Sequence, residues 1–488
     1  MSAKMSLATE SETTSSEQET AKEEITSRRK YLIGPFVFLH TLTLTLYNTS
    51  INLYYPYHVG RELFPNESVT KEKSSLCQSR TNSSSTNEQI VQSVVAEYSV
   101  YAAISMGFPC LISNILLGSM SDRYGRKQLL IIPTLGLLVA QIIVVVFMYV
   151  SVDLYYFLLP SIILAGFGDI FAVFQISLSY ISDITEASKK RTFGIALLEL
   201  SGDIGVLLGQ IIAGYLIQSL GYTLTVLFTC IVKSANLINI VLLPSSVPST
   251  KSQWSCKVVI RSLKESFQFY YSIEFSGSRW KYNLCLIIFI IGNMTVIGRD
   301  NVETLYIISP PFCFTPVLVG WFNATKAVMQ LIIPMILIRV FLKFWSNEFI
   351  TVFGAISGLS YFVVETLARS TLTLFLAPVF GFGLVLGFVI IRAIVSVETP
   401  GNKQGALYGG LAAIQTIFAF FGSMVFSAIY KNTVHTNKRI FLIFIIVLLV
   451  VTLIMSIILY MKSRSRIKQY TLKSKEIDIA ATEHIERY

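Results

Sequence analysis

Charge is what this chain has least of. Only 14% of its 488 residues are Asp, Glu, Lys or Arg, against 53% hydrophobic, and mean hydropathy is +0.61. Soluble domains carry about 25% charged residues, so an ordinary water-soluble globular protein is excluded. The chain has only four histidines and six cysteines, and none of them fall in a cluster with metal-ligand spacing. It also lacks a phosphate-cradling glycine loop and a Gly-x-Ser-x-Gly elbow. The expectation is no metal, no cofactor and no enzyme. The first thirty residues are polar and acidic without an apolar core. No cleavable signal peptide is therefore expected, and the first apolar run would serve as the insertion signal. The net charge of +10 does not point to nucleic acid, because its cations sit in short loops and one tail. That placement suits the inner face of a membrane.

Long apolar runs are what the chain has in quantity. They fall at roughly 31–53, 94–118, 128–150, 154–181, 193–218 and 222–243, then at 282–308, 316–341, 348–368, 371–395, 405–430 and 439–461. Each can cross a bilayer as a helix, the form in which lipid-exposed backbone satisfies itself. The fold class read from this is an all-α membrane protein of twelve transmembrane helices. Its parts are a cytoplasmic tail (1–30), a six-helix bundle (31–243), a cytoplasmic central loop (244–281), a second six-helix bundle (282–461) and a cytoplasmic tail (462–488). Residues 1–27 are rich in Ser, Thr and Glu and are expected to be disordered.

Basic residues set the sidedness. Arg28, Arg29 and Lys30 precede the first run, and Lys462, Arg464, Arg466 and Lys468 follow the last. Both termini are therefore placed in the cytoplasm. Lys189, Lys190, Arg191, Lys251, Lys257, Arg261 and Lys264 also fall in inside loops, whereas the outside loops after runs five and seven hold no Lys or Arg. The loop over 54–92 is placed outside and carries two glycosylation sequons, at Asn66 and Asn82. Sequons at Asn48, Asn293 and Asn323 lie within apolar runs and are read as chance.

The short connection between runs two and three reads Gly118-Ser-Met-Ser-Asp122-Arg123-Tyr-Gly125-Arg126-Lys127. It resembles the loop of the major facilitator superfamily, Gly-x-x-x-Asp-x-x-Gly-Arg-Lys/Arg, with every fixed position filled. Three further stretches sharpen the resemblance: Ser182-Asp183 through Arg191-Thr-Phe-Gly to Glu199; Thr304-Leu-Tyr306 with Ser309-Pro310-Pro-Phe-Cys313; and Ile391-Arg392-Ala393 with Lys403-Gln404-Gly405. These are similar to solute carrier family 46, the proton-coupled folate transporter group. The resemblance implies two pseudo-symmetric halves built from inverted three-helix repeats, with a substrate site between them near midplane. It also implies that Asp122 caps a neighbouring helix and pairs across the cytoplasmic gap, so that Gly118, Asp122, Arg123, Gly125, Arg126 and Lys127 form a cytoplasmic gate. Cys77 and Cys313 are the two cysteines in outside loops, the oxidising side. The family pairs its matching cysteines there.

Ionisable groups inside the membrane ask for a partner or a function. Asp169 lies halfway along span four, and Glu199 and Asp203 lie one turn apart on span five. Neighbouring carboxylates disfavour double ionisation, which makes a proton site. The family links the position of Glu199 to proton coupling, and that of Asp169 is acidic there too. The alternative is that these acids pair with Lys233, Arg299 or Arg392. Arg392 has the family match and is assigned to substrate binding or gating. Arg299 either shares that role or pairs with Glu303 at i, i+4. His40 is either a proton relay or a packing histidine. Lys326, Asp300 and Glu303 complete the charged set on spans seven and eight.

Span seven has no histidine where the family's folate importers carry one; Val296 and Ile297 stand there. No proline occurs between Phe193 and Gly221, whereas antiporters of the superfamily often carry a Gly-Pro-rich version of this span; the absence favours symport. Gly205 and Gly209 on span five, and Gly383 and Gly387 on span ten, have the spacing of close helix packing.

The expected function is proton-coupled transport of a small organic, anionic, folate-like solute. The alternatives are lysosomal export of other organic solutes such as peptidoglycan fragments, and a non-transporting receptor of the same fold. The expected partners are solute, protons and bilayer, with no nucleic acid, and a monomer or weak homo-oligomer. Neither tail has an acidic dileucine signal, so the plasma membrane is placed ahead of the lysosome.

Overall fold

The computed structural model describes residues 30–65, 82–185, 189–244, 279–399 and 404–485. Among the described residues every element is helical. Eleven helical stretches are long and apolar enough to cross a membrane, from Thr86–Leu117 to Ile440–Ser465. The helix Ile33–Leu63 precedes them, making twelve spans. It is 31 residues long but less apolar, because its interior face carries Thr41, Thr43, Tyr47, Thr49, Ser50, Tyr54 and His58, all buried. Spans one to six end at Leu242, and spans seven to twelve begin at Arg279.

Helix boundaries move relative to the hydropathy pattern. Span one continues to Leu63, and span two starts at Asn82, so the loop over 54–92 is shorter at both ends. Tyr54, Tyr55 and His58 are polar enough to end an apolar run but pack in the interior as helix. The last helix runs on from Ile440 to Ile485, through the segment placed in the tail.

Three spans are interrupted. Span four breaks between Leu158–Gly166 and Asp169–Ile184. Span seven breaks between Arg279–Ile297 and Asp300–Ile308, and span ten between Thr371–Phe380 and Leu384–Glu398. Each break contains glycine: Gly168, Gly298, or Gly381 with Gly383. Gly168 has φ 109°, a left-handed conformation that a side chain would strain.

Apolar packing divides the molecule by depth. We call the side holding the described chain ends the tail face, and the opposite side the far face. On the far side one continuous core joins the halves, from Tyr47, Tyr54 and Tyr98 to Tyr306, Phe322 and Phe441. On the tail side the core splits in two. One part holds Phe36, Leu130, Tyr180 and Leu198; the other holds Tyr282, Phe289, Ile391 and Leu411.

Polar contacts between the halves lie mainly toward the far face, with one nearer the tail face, where the Asn114 amide donates to Thr416 Oγ1 at 3.4 Å. Near the far face the Asn52 amide donates to Asn301 at 3.1 Å and the Tyr430 hydroxyl to Gln92 at 2.7 Å. Lys438 pairs with Glu88 at 3.2 Å and Lys431 with Glu97 at 2.8 Å. Span five meets span eight backbone to backbone: a Cβ on Gly320 would lie 2.6 Å from the Gln210 carbonyl oxygen. The molecule is closed at the far face and parted toward the tail face.

Candidate functional site

Span five is held against span one by glycine. A Cβ on Gly205 would meet Thr41 Oγ1 at 2.2 Å, and one on Gly209 would meet Thr45 Cβ at 2.9 Å. The Thr41 hydroxyl donates to the Gly202 carbonyl at 3.0 Å, a bond that only this close approach allows. Glu199 and Asp203 ride on the clamped helix. Glu199 is exposed and Asp203 half-buried, and each is the other's charged neighbour. Neither has an ion-pair partner within contact distance among the described residues. The cation acting on Glu199 is Arg392, from span ten of the opposite half. The Arg392 guanidinium donates to the Gln415 side chain on span eleven and lies 5.4 Å from the Phe289 ring centre. An acid from one half and a guanidinium from the other are thus within electrostatic reach of each other on the tail side of the seam, without a direct contact.

Asp169 stands apart from that pair. It is the first residue of the second half of span four, with φ 45°, next to Gly168. Its carboxylate accepts the N–H of Ile170 at a helix N-terminus inside the membrane. Its titratable neighbours are Tyr47 and Cys110 rather than Glu199 or Asp203. The Ser113 hydroxyl donates to the freed Gly166 carbonyl at 2.6 Å, so the break is satisfied by span two. His40 is buried, with Nδ1 2.6 Å from Lys233 Nζ on span six. That contact engages both groups within the first half.

The remaining charges gather on spans seven, eight and nine. Arg299 Nε donates to Glu303 Oε2 at 3.0 Å, and Lys326 Nζ donates to the same oxygen at 2.6 Å. The Tyr361 hydroxyl donates to Glu303 Oε1 at 2.6 Å, and Lys326 lies 3.5 Å from Asp300. The guanidinium of Arg299 sits 4.8 Å from the ring centres of both Tyr361 and Phe362. Arg299 is 1% exposed, so this is a buried structural pair and not a free anion site. Glu365, one turn beyond Tyr361, is buried against the same group.

The Major Facilitator Superfamily sequence model matches residues 34–423, well over half of the chain. The chain belongs to that superfamily. It is 24% identical over 414 residues to the lysosomal proton-coupled steroid conjugate and bile acid symporter SLC46A3 of Gallus gallus, covering 83% of this chain and 89% of that one. To the proton-coupled folate transporter of Rattus norvegicus it is 25% identical over 418 residues, covering 83% and 87%. Solute carrier family 46 is thus the branch it resembles. Its fold is also that of the human organic anion transporter MFSD10, with a TM-score of 0.58, 14% identity and coverage of 88% of this chain and 99% of that one. A POT family transporter in complex with 5-aminolevulinic acid gives a TM-score of 0.62, 12% identity and coverage of 88% and 96%. As a major facilitator, the protein is a multi-pass transporter and not an enzyme.

The superfamily loop after span two closes the tail end of the first half. Gly125 takes φ 88° and turns the chain into span three. Arg126 Nε then pairs with Asp183 Oδ2 on span four at 3.0 Å, and Lys127 Nζ donates to the Val241 carbonyl at the end of span six at 2.8 Å. A lysine at a helix C-terminus suits the helix dipole. The side chains of Gly118, Asp122 and Arg123 lie outside the described residues. So do Asn66 and Cys77, while Asn82 opens span two. Cys313 is disulfide-bonded, whereas Cys110, Cys230 and Cys285 are free.

Sequence reasoning missed Gln415, Tyr361 and Glu365, and named Asp183 only within a stretch of family resemblance, without a partner. Asp183 and Gln415 look like ordinary polar residues in a loop and on a helix. Glu365 falls three residues before the end of its apolar run, where an acid normally faces water. A local signal existed in the i, i+4 spacing of Tyr361 and Glu365, but only the fold shows that this face is buried.

Proposed function

We propose that this major facilitator moves a small organic anion together with protons by alternating access. The observation that carries the reading is an acid, Glu199, on span five of one half, within electrostatic reach of a guanidinium, Arg392, on span ten of the other. A guanidinium can hold a carboxylate with two parallel hydrogen bonds, and Glu199 is then free to take a proton. Relatives named as proton-coupled, for steroid conjugates and bile acids or for folate, support both parts. Bile acids and folates are carboxylates. Val296 and Ile297, standing where folate importers carry histidine, support a folate-like anion over folate itself.

In this reading the tail face is cytoplasmic and the far face is extracellular or lysosomal. Protons then run from the acidic far side to the cytoplasm whether the membrane is plasma or lysosomal, and solute moves inward with them. The described conformation is the one that releases solute to the cytoplasm. Asp169 supports the proton site from the break midway along span four, and Asp203 is the close neighbour of Glu199 on span five. His40 and Arg299, both engaged by neighbours, shape the walls. The Asp122 to Lys127 loop gates the cytoplasmic end. Glycans on Asn66 and Asn82, and a Cys77–Cys313 disulfide, stabilise the far face.

Uptake of labelled bile acids and folates in acidic and neutral buffer tests the reading. Saturable, acid-stimulated uptake is expected, and Arg392→Ala should abolish it while Arg392→Lys retains a part. If no anion is taken up at either pH by protein correctly placed in the membrane, the reading fails and a receptor role gains.

A further inference from the structure

Glu365 is the one group in the span seven to nine cluster that the pairing leaves over. It is 0% exposed, and neither Oε1 nor Oε2 has a hydrogen-bond partner among the described residues. The cations beside it are already matched. Arg299 is bonded to Glu303, and Lys326 contacts both Glu303 and Asp300. Among the described residues, other elements bring no further cation into contact with it. Tyr306 of span seven and Tyr361 on its own helix are its titratable neighbours, and Arg439, before span twelve, donates instead to the Ala368 carbonyl. Thr371–Phe380 has no titratable residue, and the next part of span ten has none before Arg392. An ionised carboxylate without donors in such a place is far costlier than a neutral one.

We propose that Glu365 is a proton-binding site of the second half, and that its protonation licenses closure of the far face. Each closure event would bury one proton there. With the far side open, water reaches the carboxyl and the proton exchanges with the acidic compartment. Closing the far side removes water, so closure proceeds only with the carboxyl neutral. The site is separate from Glu199, which lies on the opposite half and on the parted side. The inference rests on the reading that the chain alternates access under a proton gradient, yet its test needs no substrate.

The experiment is a spin-label pair at Leu63→Cys and Arg369→Cys, exposed positions of opposite halves at the far face, in purified full-length protein in lipid nanodiscs. In the wild-type background the short-distance, far-closed population should rise as buffer goes from mildly alkaline to mildly acidic. Glu365→Gln, a neutral isostere, should hold that population high at both, losing the pH dependence. If the labelled wild type shows no pH dependence, or Glu365→Gln keeps it, the proposal is overturned. Failure of Glu365→Gln to fold also overturns it, since a neutral amide should replace a neutral carboxyl. If Glu365→Gln behaves as expected while uptake of every tested anion fails, the transport reading falls and the proton site stands.

Discussion

At the scale of single residues, the molecule separates charges that hold the fold from charges that face the seam. Glu303 accepts from Arg299, Lys326 and Tyr361 at once, and all are buried or nearly so. Removing its charge leaves Arg299 without its carboxylate and Lys326 with Asp300 alone. Breaking a buried pair in this way costs about 3–5 kcal/mol. Glu303→Gln is therefore expected to lower the thermal unfolding midpoint of the purified protein markedly, with Glu303→Asp intermediate. An unchanged midpoint in Glu303→Gln would mean that the cluster is relaxed by water. Arg126 and Asp183 differ, because Arg126 is buried at the tail end of the bundle while Asp183 is partly open to solvent. Arg126→Ala should cost little stability and instead change how readily the tail end opens. That is measured as a changed maximal uptake rate at equal surface level.

At the scale of elements, the interrupted spans are the first members of three of the four three-helix repeats. Interrupted helices place backbone groups and helix ends inside the membrane, where they serve solute and ions. Much of this level was legible in the sequence and some was not. Hydropathy gave twelve spans, and the loop from Gly118 to Lys127 announced the superfamily, because both are written locally. The breaks were not legible, since a Gly in an apolar run reads equally as a packing site. Gly205 packs against Thr41 without a break, whereas Gly168 does break, and the sequence around each is equally apolar. Side-chain partners more than two hundred residues apart, such as Asn52 with Asn301, were out of reach for the same reason. Span eight offers the sharpest test of packing. A methyl at Gly320 would meet a backbone oxygen of span five in the described, far-closed conformation. Gly320→Ala should disfavour that form by about 1–3 kcal/mol, roughly 5- to 150-fold in the population ratio. The Leu63–Arg369 label pair should then report a longer mean distance; an unchanged distribution would show that the two spans adjust.

At the scale of the whole molecule, one continuous core on the far side and two separate cores on the tail side set how the halves can move. Opening the far face must break the Glu88–Lys438 and Glu97–Lys431 pairs and part the shared core. Closing the tail face must bring Glu199 and Arg392 closer. A solute carboxylate on Arg392 would repel an ionised Glu199, and protonation removes that repulsion, so loaded and protonated carrier reorients as a unit. This makes a prediction that separates coupling from binding. Glu199→Gln mimics the protonated form permanently. It should reorient with solute but release no proton, so net uphill uptake under a pH gradient is lost while exchange against preloaded solute persists. Asp169→Asn leaves this coupling in place and should mainly weaken apparent affinity, since Asp169 shares no charged neighbour with Glu199. A paired vesicle assay, net uptake beside exchange, reads both. If Glu199→Gln concentrates solute as well as the wild type does, the coupled proton resides on another group, and Asp203, one turn along the same helix, is the next to substitute.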